Sequence, residues 1–327
     1  MISTHTTIAG LLAAALVVAT PARASEDYPI KTITMIVPFA AGGPTDTVAR
    51  LVAAAMGTDL KQTVIVENVG GAGGTLGAGR AARAAPDGYT LFMHHIGQAT
   101  APALYRKLPY DPVADFEPIG LVTDVPMTLV GKSDFPAKDV KELLAYVKAN
   151  KDKVTLANAG IGAASHLCGM LFMSAIETEL TTVPYKGTGP AMNDLLGGQV
   201  DLMCDQTTNT TSQIRAGKIK AYGVTTRTPV ASLPNLPTLD SAGLPGFEIT
   251  VWHGLYAPKG TPKPVIDRLV QSLHVALNDA TVKQRFADLG TEPVAADRAT
   301  PEALRSYLKA EIDKWGVVIK KAGVYAD

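Results

Sequence analysis

The sequence predicts an α/β protein of two domains, each built on a mostly parallel sheet, joined by a hinge of two strands. Three observations predict it. Short β-branched apolar runs alternate with stretches of helical period along the chain, the pattern of parallel sheets covered by helices on both faces. Two extended segments, Ile119 to Val130 and Ile249 to Ala257, are long enough to leave one domain and enter another. One unit, strand then small-residue loop then helix N-terminus, occurs at 33–46 and again at 154–166. The crossings divide the chain into a discontinuous first domain, residues 25–125 with 247–327, and a second domain, residues 126–246.

The first unit opens with Ile33-Thr34-Met35-Ile36-Val37, the composition of a buried strand. Phe39-Ala40-Ala41-Gly42-Gly43-Pro44 follows, nearly free of side-chain bulk, and Thr45 and Asp46 offer helix N-caps. Val48, Leu51, Val52, Ala55 and Met56 then mark one helical face. Such a turn presents unpaired backbone N–H groups and the positive end of a helix dipole, which is a seat for an anion. A glycine-bearing turn that binds nothing is the plain alternative, and this loop alone does not decide between them.

Val64 to Asn68 is a second strand. Gly70 to Gly77 is a flexible turn lacking both the Gly-Lys-Ser/Thr of a P-loop and a GxGxxG pattern. Tyr89 to His94 is the third strand and runs into His95. With no further ligand at a useful spacing, the histidine pair reads as a hydrogen-bond contact at the rim, through His95, rather than a metal site. Ile119 to Val130, interrupted by Pro126, makes the first crossing. Pro136 opens a helix that buries Val140, Leu143, Leu144 and Val147.

The opening unit then recurs. Val154 to Ala157 is a strand, Asn158 to Ala164 a small-residue loop, Ser165 an N-cap, and a helix runs from His166. Two anion seats in separate domains suggest a clamp around one ligand. Thr181 to Pro184 and a helix from Pro190 form another such unit. Val200 to Cys204 is a strand ending at Asp205-Gln206, where open α/β sheets bind ligands. Lys220 to Thr225 is the next strand, Pro229 to Gly246 a proline-punctuated connection, and Ile249 to Ala257 the way back. Helices fill Pro262–Asn278, Thr281–Leu289 and Pro301–Ala322, the last burying Leu304, Leu308, Ile312 and Trp315.

Composition narrows the function. The 327 residues carry 30 basic and 30 acidic side chains, which gives no support for a nucleic-acid partner. The 30 glycines and 22 prolines fit an α/β protein with many tight turns. Ile8 to Thr20 is rich in Ala, Leu and Val, and Pro21-Ala22-Arg23-Ala24 ends in an Ala-x-Ala pattern. This predicts a secretory leader cut after Ala24, although Met1 to Thr7 has no Lys or Arg. The apolar run falls short of the ~20 residues a membrane span needs. In an exported protein Cys168 and Cys204 either pair or remain two small buried thiols, and the disulfide is the preferred reading. No CxxC or HExxH spacing occurs, so neither metal nor cofactor is expected.

The segments YPIKTITMIVPFAAGGPTD, VIVENVGGAGGTLGA, APDGYTLF, LYRKLPYDPVADFEPI, VPYKGTGPAMNDLLGGQVDLM and WHGLYAPKGTP resemble the periplasmic solute receptors of tripartite tricarboxylate transporters, the Bug-type binding proteins. The resemblance spans the whole mature chain. It implies a two-domain Venus-flytrap fold of the periplasmic-binding-protein type, type II-like, working as a monomer with integral-membrane permease subunits as partners. It implies a small carboxylate ligand: a di- or tricarboxylate, a hydroxy or amino acid, or an aromatic acid. Two loops would hold the carboxylate as pincers. The first runs from Phe39 to Asp46, with Ala40, Gly42, Gly43 and Thr45 nearest the ligand. The second runs from Asn158 to His166, with Ala159, Gly160 and Ser165 in matching places. Asp205 matches a position facing the pocket. Pocket width would be set by residues such as His95, Gln98, Tyr185, Gln206 and Trp252.

Two features qualify this reading. Neither loop contains a guanidinium, so backbone dipoles must neutralise the ligand. Asp205 would repel an anion unless a water, a ligand hydroxyl or amine, or a shared proton lies between them; a donor on the ligand or a water is the favoured route. A sensor partner of a membrane signalling protein would use the same fold. A secreted hydrolase is the weaker alternative, because Ser165-His166 lacks an orienting acid and no GxSxG is present.

Overall fold

The computed structural model describes residues 28–326; the leader expected over residues 1–24 lies outside them. The strands are β1 (Ile33–Val37), β2 (Val64–Asn68), β3 (Thr90–His95), β4 (Phe116–Lys132), β5 (Thr155–Asn158), β6 (Thr181–Pro184), β7 (Leu202–Gln206), β8 (Ile219–Val224) and β9 (Thr250–Pro258). Helices α1 (Pro44–Leu60), α2 (Thr75–Ala82) and α3 (Gly97–Leu104) each follow one of the first three strands. Helices α4 (Val140–Ala149), α5 (Ala164–Ala175), α6 (Thr188–Leu196), α7 (Thr207–Arg215) and α8 (Leu239–Ala242) alternate with β4 to β9. Helices α9 (Lys263–Asn278), α10 (Ala280–Asp288) and α11 (Pro301–Ala322) close the chain.

The strand order is β2-β1-β3-β9-β4-β7-β5-β6, with β8 also on β4. β1 pairs in parallel with β2 and β3, and β5 in parallel with β6 and β7. Every antiparallel pairing involves β4 or β9. β4 carries the chain from one group of strands to the other. Its residues Phe116 to Pro126 pair with β9, and Met127 to Lys132 run between β7 and β8. Pro126, which has no N–H to give, sits opposite Thr250 where the partner changes. Thr225 ties the junction: its hydroxyl donates to the Ile249 carbonyl at 2.6 Å and accepts from the Met127 amide at 3.0 Å.

Helix α1 lies over β1 with Val48, Val52 and Met56 buried, each stabilising the fold by roughly 1.5–3 kcal/mol. α11 is fixed by Glu311, whose Oε2 accepts from the indole N–H of Trp252 at 3.1 Å and of Trp315 at 3.0 Å. Cys168 on α5 and Cys204 on β7 form a disulfide with a Cα separation of 6.0 Å.

Several local expectations differ. The extended segment through Pro126 is one strand, as expected, but it runs over 17 residues from Phe116 to Lys132. α4 begins at Val140, not Pro136, because the Asp139 carboxylate caps the Glu142 amide. α1 begins at Pro44 with Gly43 as its cap residue, so Thr45 and Asp46 lie inside the first turn. α5 likewise begins at Ala164, after Ala163, and Ser165 is not its cap. α7 has no apolar period to read: it is TTNTTSQIR, and it buries threonines. The hydroxyls of Thr207, Thr210 and Thr211 donate to the carbonyls of Gly290, Gln206 and Leu289.

Candidate functional site

The sites suggested by the repeated unit meet in one place. A cavity with room for about one water (≈ 10 Å³) lies between the two groups of strands. Phe39, Pro44, Thr45 and His95 line it from one side, and Ala159, Ala164, Ser165, Thr188, Asp205 and Gln206 from the other. Pro44 and Thr45 open α1, Ala164 and Ser165 open α5, Thr188 opens α6, and Gln206 immediately precedes α7. Four helix N-termini therefore converge on it, each with a positive partial charge of roughly half an electron. No Lys or Arg lines it.

The sequence places the anion seat at the loop amides and the helix N-termini together, and the structure ties several of the loop amides to protein acceptors. The Ala40 amide donates to the Lys186 carbonyl at 2.9 Å. The Gly42 amide donates to Asp46 Oδ2 at 3.0 Å, and Asp46 also accepts from Arg50 and Asn68. In the second loop, Ala159 N–H goes to Ser165 Oγ at 2.7 Å, Gly160 N–H to Asn158 Oδ1 at 2.9 Å, and Gly162 N–H to His166 Nδ1 at 3.3 Å. The side chains meant to cap helices hold the loops instead. The open donors are those of the first helical turns, whose N–H groups have no intrahelical partner.

Ala40, Gly42, Gly43, Asp46, Gly160 and His166 thus stand outside the lining, while Phe39, Thr45, His95, Ala159, Ser165 and Asp205 are brought together. Gln98 reaches toward the Pro112 carbonyl, Tyr185 donates to Asp194, and Trp252 to Glu311, so none of the three shapes the cavity. Pro44 and Ala164 lie within the two pincer loops without being singled out, and Thr188 was not anticipated as a lining residue. Thr188 had a signal, since Gly187-Thr188-Gly189-Pro190 is a third small-residue turn before a helix.

The polar groups on the two walls are unlike. On the first, the Thr45 hydroxyl lies 3.3 Å from His253 Nε2, and the His95 ring is stacked on Phe39 with centroids 4.6 Å apart. Burial holds His94 and His253 down at about 3, and His95 well below the ordinary imidazole range, so all three rings are neutral. On the second wall, Asp205 is 1 % exposed and accepts from Asn209 Nδ2 at 2.6 Å. Burial pushes its carboxyl up to about 6, partly offset by hydrogen bonds from Asn209, the Gln206 amide and Thr188. Near pH 6 a shared proton with an anionic ligand is therefore within reach, whereas above it Asp205 is an acceptor. Gln206 Oε1 is a second buried acceptor without a partner among the described residues.

Loops from the two walls meet around this cavity, backbone on backbone. A Cβ on Gly73 would lie 2.0 Å from the Ile161 carbonyl oxygen, and one on Gly187 2.9 Å from the Ala40 amide nitrogen. Thr100 donates across to the Gly162 carbonyl at 3.0 Å. A larger groove of about 800 Å³ runs beside the Pro126 crossing, past Ser232 and His274. It shares no residue with the small cavity, and none of the four converging helix N-termini lines it. Ser165 and His166 each bond a loop amide, so the two do not form a nucleophile–base pair.

Residues 48–324 match the family described as the tripartite tricarboxylate transporter family receptor. The chain belongs to that family. It is 54% identical over 302 residues to the UPF0065 protein in the TAR-I ttuE-ttuC' intergenic region of Agrobacterium vitis, covering 92% of this chain and 87% of the relative. The structure of periplasmic binding protein BugD superposes with a TM-score of 0.89 at 57% identity, over 91% of this chain and 99% of that one. MatC from Rhodopseudomonas palustris, solved with bound malate, gives 0.86 at 43% identity, over 89% and 100%. The tripartite tricarboxylate receptor is thus built on the periplasmic-binding-protein fold that the Venus-flytrap resemblance implied. Among its described residues no helix is long and apolar enough to cross a membrane.

Proposed function

We propose that this receptor binds a small carboxylate between two lobes and delivers it to membrane permease subunits, without catalysing a reaction. The lobes are residues 25–125 with 247–327 and residues 126–246, hinged where β4 and β9 cross. The protein acts in the periplasm as a monomer, after removal of residues 1–24. One observation carries the reading: four helix N-termini from both groups of strands converge on one cavity that has no cationic side chain. Partial charges of that kind hold an anion without a fixed countercharge.

The ligand carries a hydrogen-bond donor as well as a carboxylate, because Asp205 and Gln206 are buried acceptors on the wall facing Thr45 and His95. A hydroxy-dicarboxylate of the malate kind, as held by the relative from Rhodopseudomonas palustris, meets both needs. Thermal shift of the mature protein against aliphatic and aromatic carboxylates tests this. A true ligand at a hundredfold its dissociation constant adds about 2.7 kcal/mol of stability. A panel in which no carboxylate raises the melting temperature refutes the reading.

A further inference from the structure

We propose that His95 is a specificity-determining residue of this cleft: a neutral hydrogen-bond donor whose Nε2–H donates to an acceptor oxygen of the ligand, with its tautomer set by the Gly97 backbone amide. The proposal rests on the carboxylate-receptor reading for its ligand, but not for the state of the ring.

The geometry leaves one assignment. The Gly97 N–H donates to His95 Nδ1 at 2.9 Å. A backbone amide can only donate, so Nδ1 presents its lone pair and the neutral ring carries its proton on Nε2. A second proton on Nδ1 would face the Gly97 N–H and break that bond. Burial opposes the charged ring, the neighbouring rings of His94 and His253 add to it, and a hydrogen bond to the residue's own backbone only partly offsets them. Gly97 opens α3 directly after β3, so strand end and helix start fix ring and partner together.

The direction of the ring is fixed as well. Phe39 stacks on one face at 4.6 Å and 24°. His253, paired with His95 across β3 and β9, meets it edge-on at 5.8 Å and 85°. His95 lines the cavity, and the Gly97 amide is the hydrogen-bond partner recorded for its ring. The Nε2 proton is therefore available to the occupant of the cleft.

An ammonium placed there would meet another N–H and be rejected, because a buried donor left facing a donor costs the desolvation of both, whereas a hydroxyl can turn to accept through its oxygen. A carboxylate, carbonyl or ether oxygen is accepted. His95 thus orients the ligand, with its oxygen-rich end toward His95 and Thr45 and its donor end toward Asp205 and Gln206. This selection does not change across neutral pH, since the ring does not ionise there.

Two measurements test the assignment. In ligand-free mature protein labelled with ¹⁵N-histidine, long-range proton–nitrogen correlation should show His95 protonated at Nε2 and bare at Nδ1 from about pH 5 to 8. An Nδ1–H signal, or a ring that titrates in that range, overturns the proposal whatever the ligand is. Isothermal titration with L-malate as probe then compares His95→Gln, which keeps an N–H near the Nε2 position, with His95→Met and His95→Asn, which do not. The Gln variant should stay within about threefold of wild type, and the other two should lose about tenfold or more. Melting curves of the free variants report whether each is folded. Equal affinity in a folded Met or Asn variant overturns the proposal. If wild type takes no carboxylate, the receptor reading fails, and the tautomer still decides the state of His95.

Discussion

The Ala40 amide donates to the Lys186 carbonyl at 2.9 Å, joining the loop after β1 to the loop after β6. Around that bond the two groups of strands meet through glycines. Gly73 has φ +59°, and its missing Cβ would lie 2.0 Å from the Ile161 oxygen. Gly73→Ala should hold the loops apart and weaken ligand binding by about tenfold or more, with a left-handed backbone penalty of about 1–2 kcal/mol besides. Gly198→Ala is the control, because Gly198 also has positive φ but nothing within 4 Å of its missing Cβ. It should show the backbone penalty and normal affinity. Titration calorimetry of both variants, with small-angle scattering of the ligand-saturated proteins, reads the difference. Normal affinity in Gly73→Ala would show that the glycine contacts are not needed for binding.

Asp205 and the buried histidines pull stability in opposite directions with pH. The Asp205 carboxyl is raised to about 6 in the folded protein. Its contribution is thus full below the unfolded value near 4 and is lost as pH rises through 6. His94 and His253 are lowered to about 3 and His166 to about 4. Their contribution is full above the unfolded value near 6.5 and is lost as pH falls toward 3 or 4. Comparison of wild type with Asp205→Asn cancels the histidines. The stability of the Asn variant relative to wild type should climb by about 3 kcal/mol between pH 3.5 and 8, mostly from pH 4 to 6. Urea denaturation at stepped pH measures it, and a flat difference would mean that Asp205 is not shifted.

The Cys168–Cys204 disulfide closes a loop across 36 positions, and chain-entropy arguments give a loop of that size roughly 3–4 kcal/mol of stabilisation. Cys168→Ala with Cys204→Ala should lower the urea midpoint accordingly. The double variant should still bind ligand, since neither cysteine lines the cavity. Loss of binding in a folded double variant would place the bridge in the site.

The strand–loop–helix units were legible because their chemistry is local. Ile33 to Val37 reads as a strand from its branching, and Gly42-Gly43-Pro44 as a turn from its lack of bulk. The long crossing strand was legible in outline, since Pro126 looks like a break and proves to be the point where β4 exchanges β9 for β7 and β8. What could not be read was which amides remain open. Ser165 and Asp46 look like caps, yet they bond the Ala159 and Gly42 amides. Choosing between a cap and a loop clamp needs the three-dimensional position of the loop. Helix α7 was invisible because its buried face is threonine, whose hydroxyls find partners only in the folded chain. Thr188 joined the site through the approach of β6 and α6 to β1 and α1, which no spacing within one unit encodes.

Thr45 stands at the centre of the account: it opens α1, lines the cavity and offers a hydroxyl at 2 % exposure. Isothermal titration of L-malate, or of the most stabilising acid in the panel, into the mature wild type and Thr45→Val is the most direct test. The account predicts one carboxylate bound per chain and a loss of roughly 1–3 kcal/mol of binding free energy in the Val variant, from a ligand oxygen left without its buried donor. No binding of any carboxylate by wild type, or equal affinity in Thr45→Val, would contradict it.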